Sequence, residues 1–347
     1  MEEPTYLILG VVLLCLGVYD LLYTTFAPRG AGIITGTVSN LIWRVYTKTS
    51  RMMDNRKVLN GAGIMIIMAT LATWVIILWA GQTLIYMSQA EAVVNSTTNV
   101  PATLKERIYF VGYNLSTMGN GDFKGGTEEW LIYSAIISFS GLIMITIAIT
   151  YMVPILSAVT ERRSLSVRIA SIGDSAQQML LKNWNGRDFK ALESHLNGLA
   201  QPLAKQGQMH LAYPVLHYFY HSEKNVALLP NITALDEALT ILLLYVPAAS
   251  RPSSQTLIPV RNALTTFLSS LIAITPSPET TEEPEHDVSE LEEAGILLQR
   301  PETEVMSKLT KRRKLLRSLL HFDGWDWNEH NTPKFTSDLD AQDIFSG

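Results

Sequence analysis

Three long stretches of this chain carry almost no charge, and they limit its fold more than any other feature. Residues 58–90 contain no Asp, Glu, Lys or Arg, residues 130–160 contain none, and residues 4–28 contain only Asp20. Each exceeds the roughly 20 residues that a helix needs to cross a bilayer core. Inside a bilayer the backbone must satisfy its own hydrogen bonds, which a helix does within one segment. Three transmembrane helices are predicted, from about Tyr6 to Ala27, Gly61 to Met87 and Glu129 to Ala158. The first lacks the basic leader and small-residue cleavage site of a signal peptide, so it is predicted to be retained. The single cysteine, Cys15, excludes a disulfide within the chain and a cysteine zinc site.

Charge orients these helices. Residues 28–60, read as a basic connector, hold Arg29, Arg44, Lys48, Arg51, Arg56 and Lys57 against Asp54. The positive-inside rule makes this connector cytoplasmic. The N-terminus and residues 88–128 then lie outside, and everything after Val159 lies inside. Arg162 and Arg163 agree with that orientation. Trp79, Tyr86, Trp130 and Tyr133 are expected at the outer interface, where amphipathic rings prefer to sit.

After the two later apolar helices and the segment between them at 61–160, residues 161–275 read as a cytoplasmic helical domain. Its apolar periodicity is clearest in 176–200 and 233–247, with turns at Pro230-Asn231, Pro252-Ser253 and Pro259. Residues 276–302 form an acidic linker containing Glu279, Glu282, Glu283, Glu285, Asp287, Glu290, Glu292 and Glu293. A basic helix at about 303–321 and a polar tail complete the chain to residue 347. The formal net charge of −5 arises mostly in this C-terminal part and says little about partners.

Between the second and third spans, Leu104 to Ser116 is predicted to form a short helix that leads into Ser116-Thr117-Met118-Gly119-Asn120-Gly121-Asp122-Phe123. A re-entrant helix followed by irregular backbone is tolerated at membrane depth only where it lines a cavity. Glycine suits backbone that alternates in the sign of φ, which lets successive carbonyls point one way. A short helix aimed at a cavity presents its negative end there and favours a cation.

Residues 104–157 resemble the pore helix, selectivity filter and inner helix of the tetrameric potassium-channel superfamily, whose filter core reads Thr-Val-Gly-Tyr-Gly. The N-terminal half also resembles bacterial ion-channel-like membrane proteins. The resemblance implies that Thr117, Met118, Gly119, Asn120 and Gly121 coordinate the ion, with Ser116, Asp122 and Phe123 supporting the filter. It implies gating at Gly141 or at Pro154, where a kink can shape the inner gate. One departure stands out: Asn120 replaces the family's tyrosine, whose ring packs behind the filter, and asparagine does not span that space. Met118 for valine is a milder change.

Other features are weaker. Asp20 is an intramembrane carboxylate that can meet Arg44 or Thr24; a structural contact is favoured. His210, His217 and His221 fall nominally on one helical face, but Pro214 interrupts it, and ordinary core and surface histidines are favoured over a metal or proton site. The Lys311–Arg317 cluster, interleaved with leucines, suits either anionic lipid or the acidic segment at 279–293. Glu193, Glu223, Asp236 and Glu237 form no catalytic set, and no Walker loop or nucleophile elbow is present. The sequons at Asn95 and Asn231 are patterns only.

The reading is an all-α membrane protein with three transmembrane helices, a re-entrant pore helix and selectivity filter, and a cytoplasmic α-helical domain. It is expected to be a homotetramer in the bacterial plasma membrane that passes potassium by gated, passive transport. It needs no cofactor, is no enzyme and binds no nucleic acid. Two alternatives stand beside it: a non-selective monovalent cation channel that also passes sodium, and a membrane-anchored interaction protein with a vestigial pore.

Overall fold

The computed structural model describes residues 3–27, 30–272, 287–299 and 303–328, apart from the side chains of residues 303–305, 307 and 308. Arg29 of the connector, Glu279, Glu282, Glu283 and Glu285 of the linker, and the tail after Asn328 lie outside the described residues. The chain divides into two compact units. One comprises Met1–Thr49, Gly61–Ser157 and Ala212–Tyr218; the other comprises Ser50–Asn60, Ala158–Leu211 and Phe219–Gly347.

The first unit is built on α1 (Pro4–Phe26) and α3 (Ala62–Met87), which pack along their lengths. Pro4 opens α1, where a missing N–H costs nothing. The pairing is antiparallel: Gly10 lies beside Gly81, Gly17 beside Ile77, and Asp20 bonds Trp74. A Cβ on Gly10 would come 2.7 Å from the Gly81 carbonyl oxygen, so small residues set this approach.

Most of the predicted connector is itself a helix, α2 (Ile33–Met53). Asp20 explains where it starts. The carboxylate accepts the N–H of Ile34 at 2.8 Å, the N–H of Thr35 at 3.2 Å and the Thr35 hydroxyl at 2.6 Å, and the Trp74 indole donates to it at 3.0 Å. It thus satisfies orphan donors in the first turn of α2, and the negative charge suits the positive helix end. The structural role expected for Asp20 is found, with these partners rather than Arg44. Thr24 instead accepts the Gly32 N–H at 2.9 Å.

Beyond α3, β1 (Val93–Asn95), α4 (Leu104–Leu115) and β2 (Phe123–Gly125) lead to α5 (Glu128–Ala170). The strands pair antiparallel, with Val94 opposite Lys124. Tyr86, Phe110, Val111 and Tyr113 are buried together, with Trp130 and Tyr133 packed against them. Tyr86, Trp130 and Tyr133 therefore pack on one another against α4. Three contacting rings bury more apolar area against one another than each would at a surface. The third predicted span runs twelve residues past Ala158, because Glu161-Arg162-Arg163 and the residues after them are compatible with helix.

The second unit surrounds α9 (Leu228–Tyr245) with α6 (Ala176–Leu181), α7 (Leu192–Leu196), α8 (Ala200–Ala212), α10 (Ser254–Ile272), α11 (Ser289–Glu293) and α12 (Thr303–Phe322). Among the described residues, four helices are long and apolar enough to cross a membrane. Pro4–Phe26, Arg56–Met87 and Glu128–Ala170 are 22%, 39% and 17% buried over their apolar windows, whereas Leu228–Tyr245 is 89% buried. A helix enclosed on all sides by its own unit is a core helix by packing.

Inside this core Asp236 meets Arg261 at 2.9 Å and Arg312 at 2.5 Å, and Glu237 meets Arg313 at 2.9 Å. Burial pushes the Glu237 carboxyl up, and the Arg313 guanidinium opposes that shift. Two cations of the Lys311–Arg317 cluster are thus engaged inside the domain. Pro230 and Asn231, expected as a turn, lie in the first turns of α9, where proline is tolerated. Asn231 is buried and donates to Ser166 Oγ at 2.8 Å, so that sequon is enclosed. Pro259, also expected as a turn, lies within α10.

Candidate functional site

The segment from Thr117 to Asp122 is positioned by the helix before it. In α4, Thr103 and Glu106 form a capping box that fixes the start of the helix. The buried Arg107 anchors it to the end of α3. Its guanidinium donates to Ala102 O at 2.9 Å, Gln89 O at 2.8 Å and Ala90 O at 2.6 Å, and also to Tyr86 O. The Tyr86, Gln89 and Ala90 carbonyls stand at and just beyond the C-terminus of α3, where backbone acceptors lack helical partners and a cation is favourable. Trp79 donates its indole N–H to Ile108 O at 2.8 Å on the same side.

The C-terminus of α4 is equally specified. Ser116 caps it and donates its hydroxyl to Tyr113 O at 3.0 Å. The Thr117 N–H reaches Asn114 O at 3.0 Å, and the Met118 N–H reaches Tyr113 O at 2.9 Å, a Schellman closure. Thr117 occupies the position where glycine is usual and takes φ +61°. A β-branched residue there is strained by about 1 kcal/mol or more. Gly141 of α5 meets this helix end, and a Cβ on it would lie 1.9 Å from Leu115 O. Ser138, one turn earlier, donates to Asn114 Oδ1 at 3.4 Å.

From Thr117 onward φ alternates in sign. Thr117, Gly119 and Gly121 have values of +61°, +59° and +82°, and Met118 and Asn120 between them are not positive. Residues 116–122 are exposed. Among the described residues, nothing donates to the carbonyls of Thr117, Met118, Gly119 or Asn120. The Gly121 carbonyl differs, because the Ser96 hydroxyl donates to it at 2.6 Å. The Ser96 N–H also reaches Asp122 O at 3.0 Å. The free carbonyls therefore end at Asn120.

Asn120 is tethered rather than loose. Its Nδ2 donates to Asp122 Oδ2 at 2.8 Å and to the Tyr109 hydroxyl. Tyr109 lies edge-on to Tyr113 at 5.1 Å and to Phe123 at 6.4 Å, and Tyr113 donates its hydroxyl to Phe123 O at 2.7 Å. Aromatic rings of α4 thus stand beside the segment, and the Asn120 amide links them to it. Nothing in the motif pointed to Ser96, Tyr109 or Arg107.

The other candidates are scattered. Pro154 lies inside α5, which continues through it. His210 is buried on α8, with Nδ1 2.9 Å from Gln206 O and its ring on Phe267. His217 belongs to the other unit, in the one-turn helix Pro214–Tyr218. In His221 burial, Arg162 and Arg163 lower the ring's proton affinity. Among the described residues no cluster of three His, Cys, Asp or Glu side chains can hold a metal ion.

The chain is similar to the uncharacterized membrane protein YdjJ of Bacillus subtilis (strain 168). The two are 31% identical over 325 residues, covering 93% of this chain and 95% of that protein. The chain belongs to the family of that protein, and it is an α-helical membrane protein. No family model matches the chain, and no solved structure matches it.

Proposed function

We propose that this member of the YdjJ family is a passive cation channel, a homotetramer whose pore is formed by one Thr117–Gly121 segment from each chain. One observation carries the reading: four successive carbonyls, from Thr117 to Asn120, accept no hydrogen bond on an exposed segment of alternating φ. Rings of carbonyls without other donors are what replaces the hydration shell of a permeating cation. One such segment encloses nothing, so copies around an axis are required. Helices α1, α3 and α5 cross the membrane, with the N-terminus and α4 on the outer side. The second unit is cytoplasmic, with α9 as its core helix rather than a fourth span.

Potassium is the favoured ion, because the segment follows the Thr-x-Gly-x-Gly pattern. A non-selective pore is the second reading, and the Asn120 tether favours it. A side-chain amide bonded to one hydroxyl and one carboxylate restrains the outer segment less than a packed ring does. Reconstitution in liposomes with potassium on one side and sodium on the other separates the two. A reversal potential near the potassium equilibrium value supports selectivity; one near zero supports the non-selective pore. Gly119→Ala places a Cβ at φ +59° and is expected to abolish flux without preventing membrane insertion. Unchanged flux in that variant, or a wild-type protein that is monomeric in mild detergent, overturns the channel.

A further inference from the structure

Helix α2 presents a surface that suits neither water nor a protein core. Thr35, Ser39, Trp43 and Ser50, at helical spacing, are its buried stripe. The rest of its circumference is divided in two. Ile34, Leu41, Val45 and Met52 follow i, i+7, i+11 and i+18, and Leu41, Val45 and Met52 are 63%, 56% and 78% exposed. Beside them run Arg44, Lys48 and Arg51, also exposed, and the helix contains no acidic residue. Water leaves the apolar stripe unburied, and an apolar protein surface leaves three cations unpaired. Only the boundary between acyl chains and headgroups satisfies both stripes at once.

The attachment of α2 puts it at that boundary. Its first-turn N–H groups are held by Asp20, six residues before the end of α1. Six residues are about 9 Å of helix, so α2 starts beside the last turns of an apolar membrane helix and leads away from there. The charge selects the occupant, because three cations with no acid among them complement the phosphates of anionic lipid.

We propose that α2 lies along the cytoplasmic face of the bilayer, with Leu41, Val45 and Met52 among the acyl chains and Arg44, Lys48 and Arg51 on anionic headgroups. This reading rests on the proposed membrane embedding and orientation, and it is independent of whether the protein conducts ions.

The test uses the full chain in vesicles, with Cys15→Ser removing the only cysteine. A bimane label is placed at Leu41→Cys or, separately, at Val45→Cys; both sites are exposed, so neither substitution removes core packing. Quenching by lipids brominated along their acyl chains is compared with quenching by aqueous iodide, in phosphatidylcholine with and without phosphatidylglycerol. At both sites the brominated lipids are expected to quench several-fold more than iodide. The lipid quenching should deepen with phosphatidylglycerol, and Arg44→Gln with Lys48→Gln should remove that dependence. Strong iodide quenching without lipid quenching would place α2 in water, and protection from both would place a second copy over it; either overturns the proposal. Lipid quenching indifferent to phosphatidylglycerol overturns the choice of anionic lipid. Since ion flux is not measured, failure here is distinct from failure of the channel reading.

Discussion

Gly141 offers the sharpest test of how the candidate pore is held, because its surroundings set both the sign and the size of the effect. In Gly141→Ala the new methyl carbon lies 1.9 Å from Leu115 O, 2.8 Å from its carbonyl carbon and 3.0 Å from its Cα. Carbon and oxygen approach to about 3.3 Å in ordinary contact. The end of α4 and α5 must therefore part by roughly 1.4 Å along that line. Alanine gains about 1 kcal/mol over glycine in a helix. Forcing backbone apart costs about 1–3 kcal/mol or more, and a carbonyl cannot rotate away as a side chain can. The net expectation is a loss of about 1–2 kcal/mol, with the helix that presents Thr117–Asn120 displaced. Gly36→Ala in α2 is the control, since nothing lies within 4 Å of its Cβ and it should gain stability. Thermal unfolding of the purified protein, followed by tryptophan fluorescence, is expected to show a lower midpoint for Gly141→Ala and an unchanged or higher one for Gly36→Ala. If Gly141→Ala melts at or above the wild type, the close approach is wrong, and gating flexibility is left as the reason for glycine here.

Three further outcomes follow from the remaining contacts. Arg107→Met strands the carbonyls of Tyr86, Gln89, Ala90 and Ala102 and should cost on the order of 3 kcal/mol, and Arg107→Lys should recover little because an ammonium lacks the planar fork; denaturant titration of both variants checks this. Arg313→Met leaves Glu237 buried without its partner and should cost about 3–5 kcal/mol, whereas adding Glu237→Leu should recover much of it, because an apolar pair replaces an ionic one; a double-mutant cycle decides. The folded state lowers the proton affinity of His221, so the unfolded chain binds the proton first and stability is lost as pH falls below the ordinary imidazole value of about 6.5. His221→Gln should flatten the melting profile between about pH 7.5 and 5.5, and an unaltered slope would remove His221 as its source.

What could be read from the sequence divides along a physical line. The three long apolar helices and the short helix at 104–115 announce themselves by composition over many residues, and the bounds read from the sequence agree with the observed ones within two residues except at Ala158. There the apolar stretch ends but the helix continues, because nothing in Glu161-Arg162-Arg163 breaks a helix. Helix α2 was missed for the converse reason. Its buried stripe is Thr, Ser, Trp and Ser, and its exposed stripe is apolar, so the usual pattern is inverted and the basic residues dominated the reading. Its N-terminus is fixed by a carboxylate fourteen residues earlier, a contact with no local signature.

The same distinction governs the candidate pore. The motif points to the segment, since glycine at alternate positions permits alternating φ, and Gly119 and Gly121 take positive φ as their type allows. The motif could not say how the segment is held, because its supports lie eleven residues before Asn120, at Tyr109, and twenty-five before Gly121, at Ser96. Judged by residue type alone against the pattern it resembles, Asn120 puts a short amide where that pattern has an aromatic ring. Judged by its bonds it is a substitution of means. The rings are still present on α4, and the amide connects them to Asp122 by hydrogen bonds. Packing restrains a chain by excluded volume over a whole ring face, whereas two hydrogen bonds fix one atom and leave the backbone on either side free to adjust. Selectivity between ions of similar charge depends on how far that adjustment can go. On the proposed channel reading, Asn120, more than the glycines beside it, is therefore the residue on which the choice between a potassium pore and a general cation pore turns.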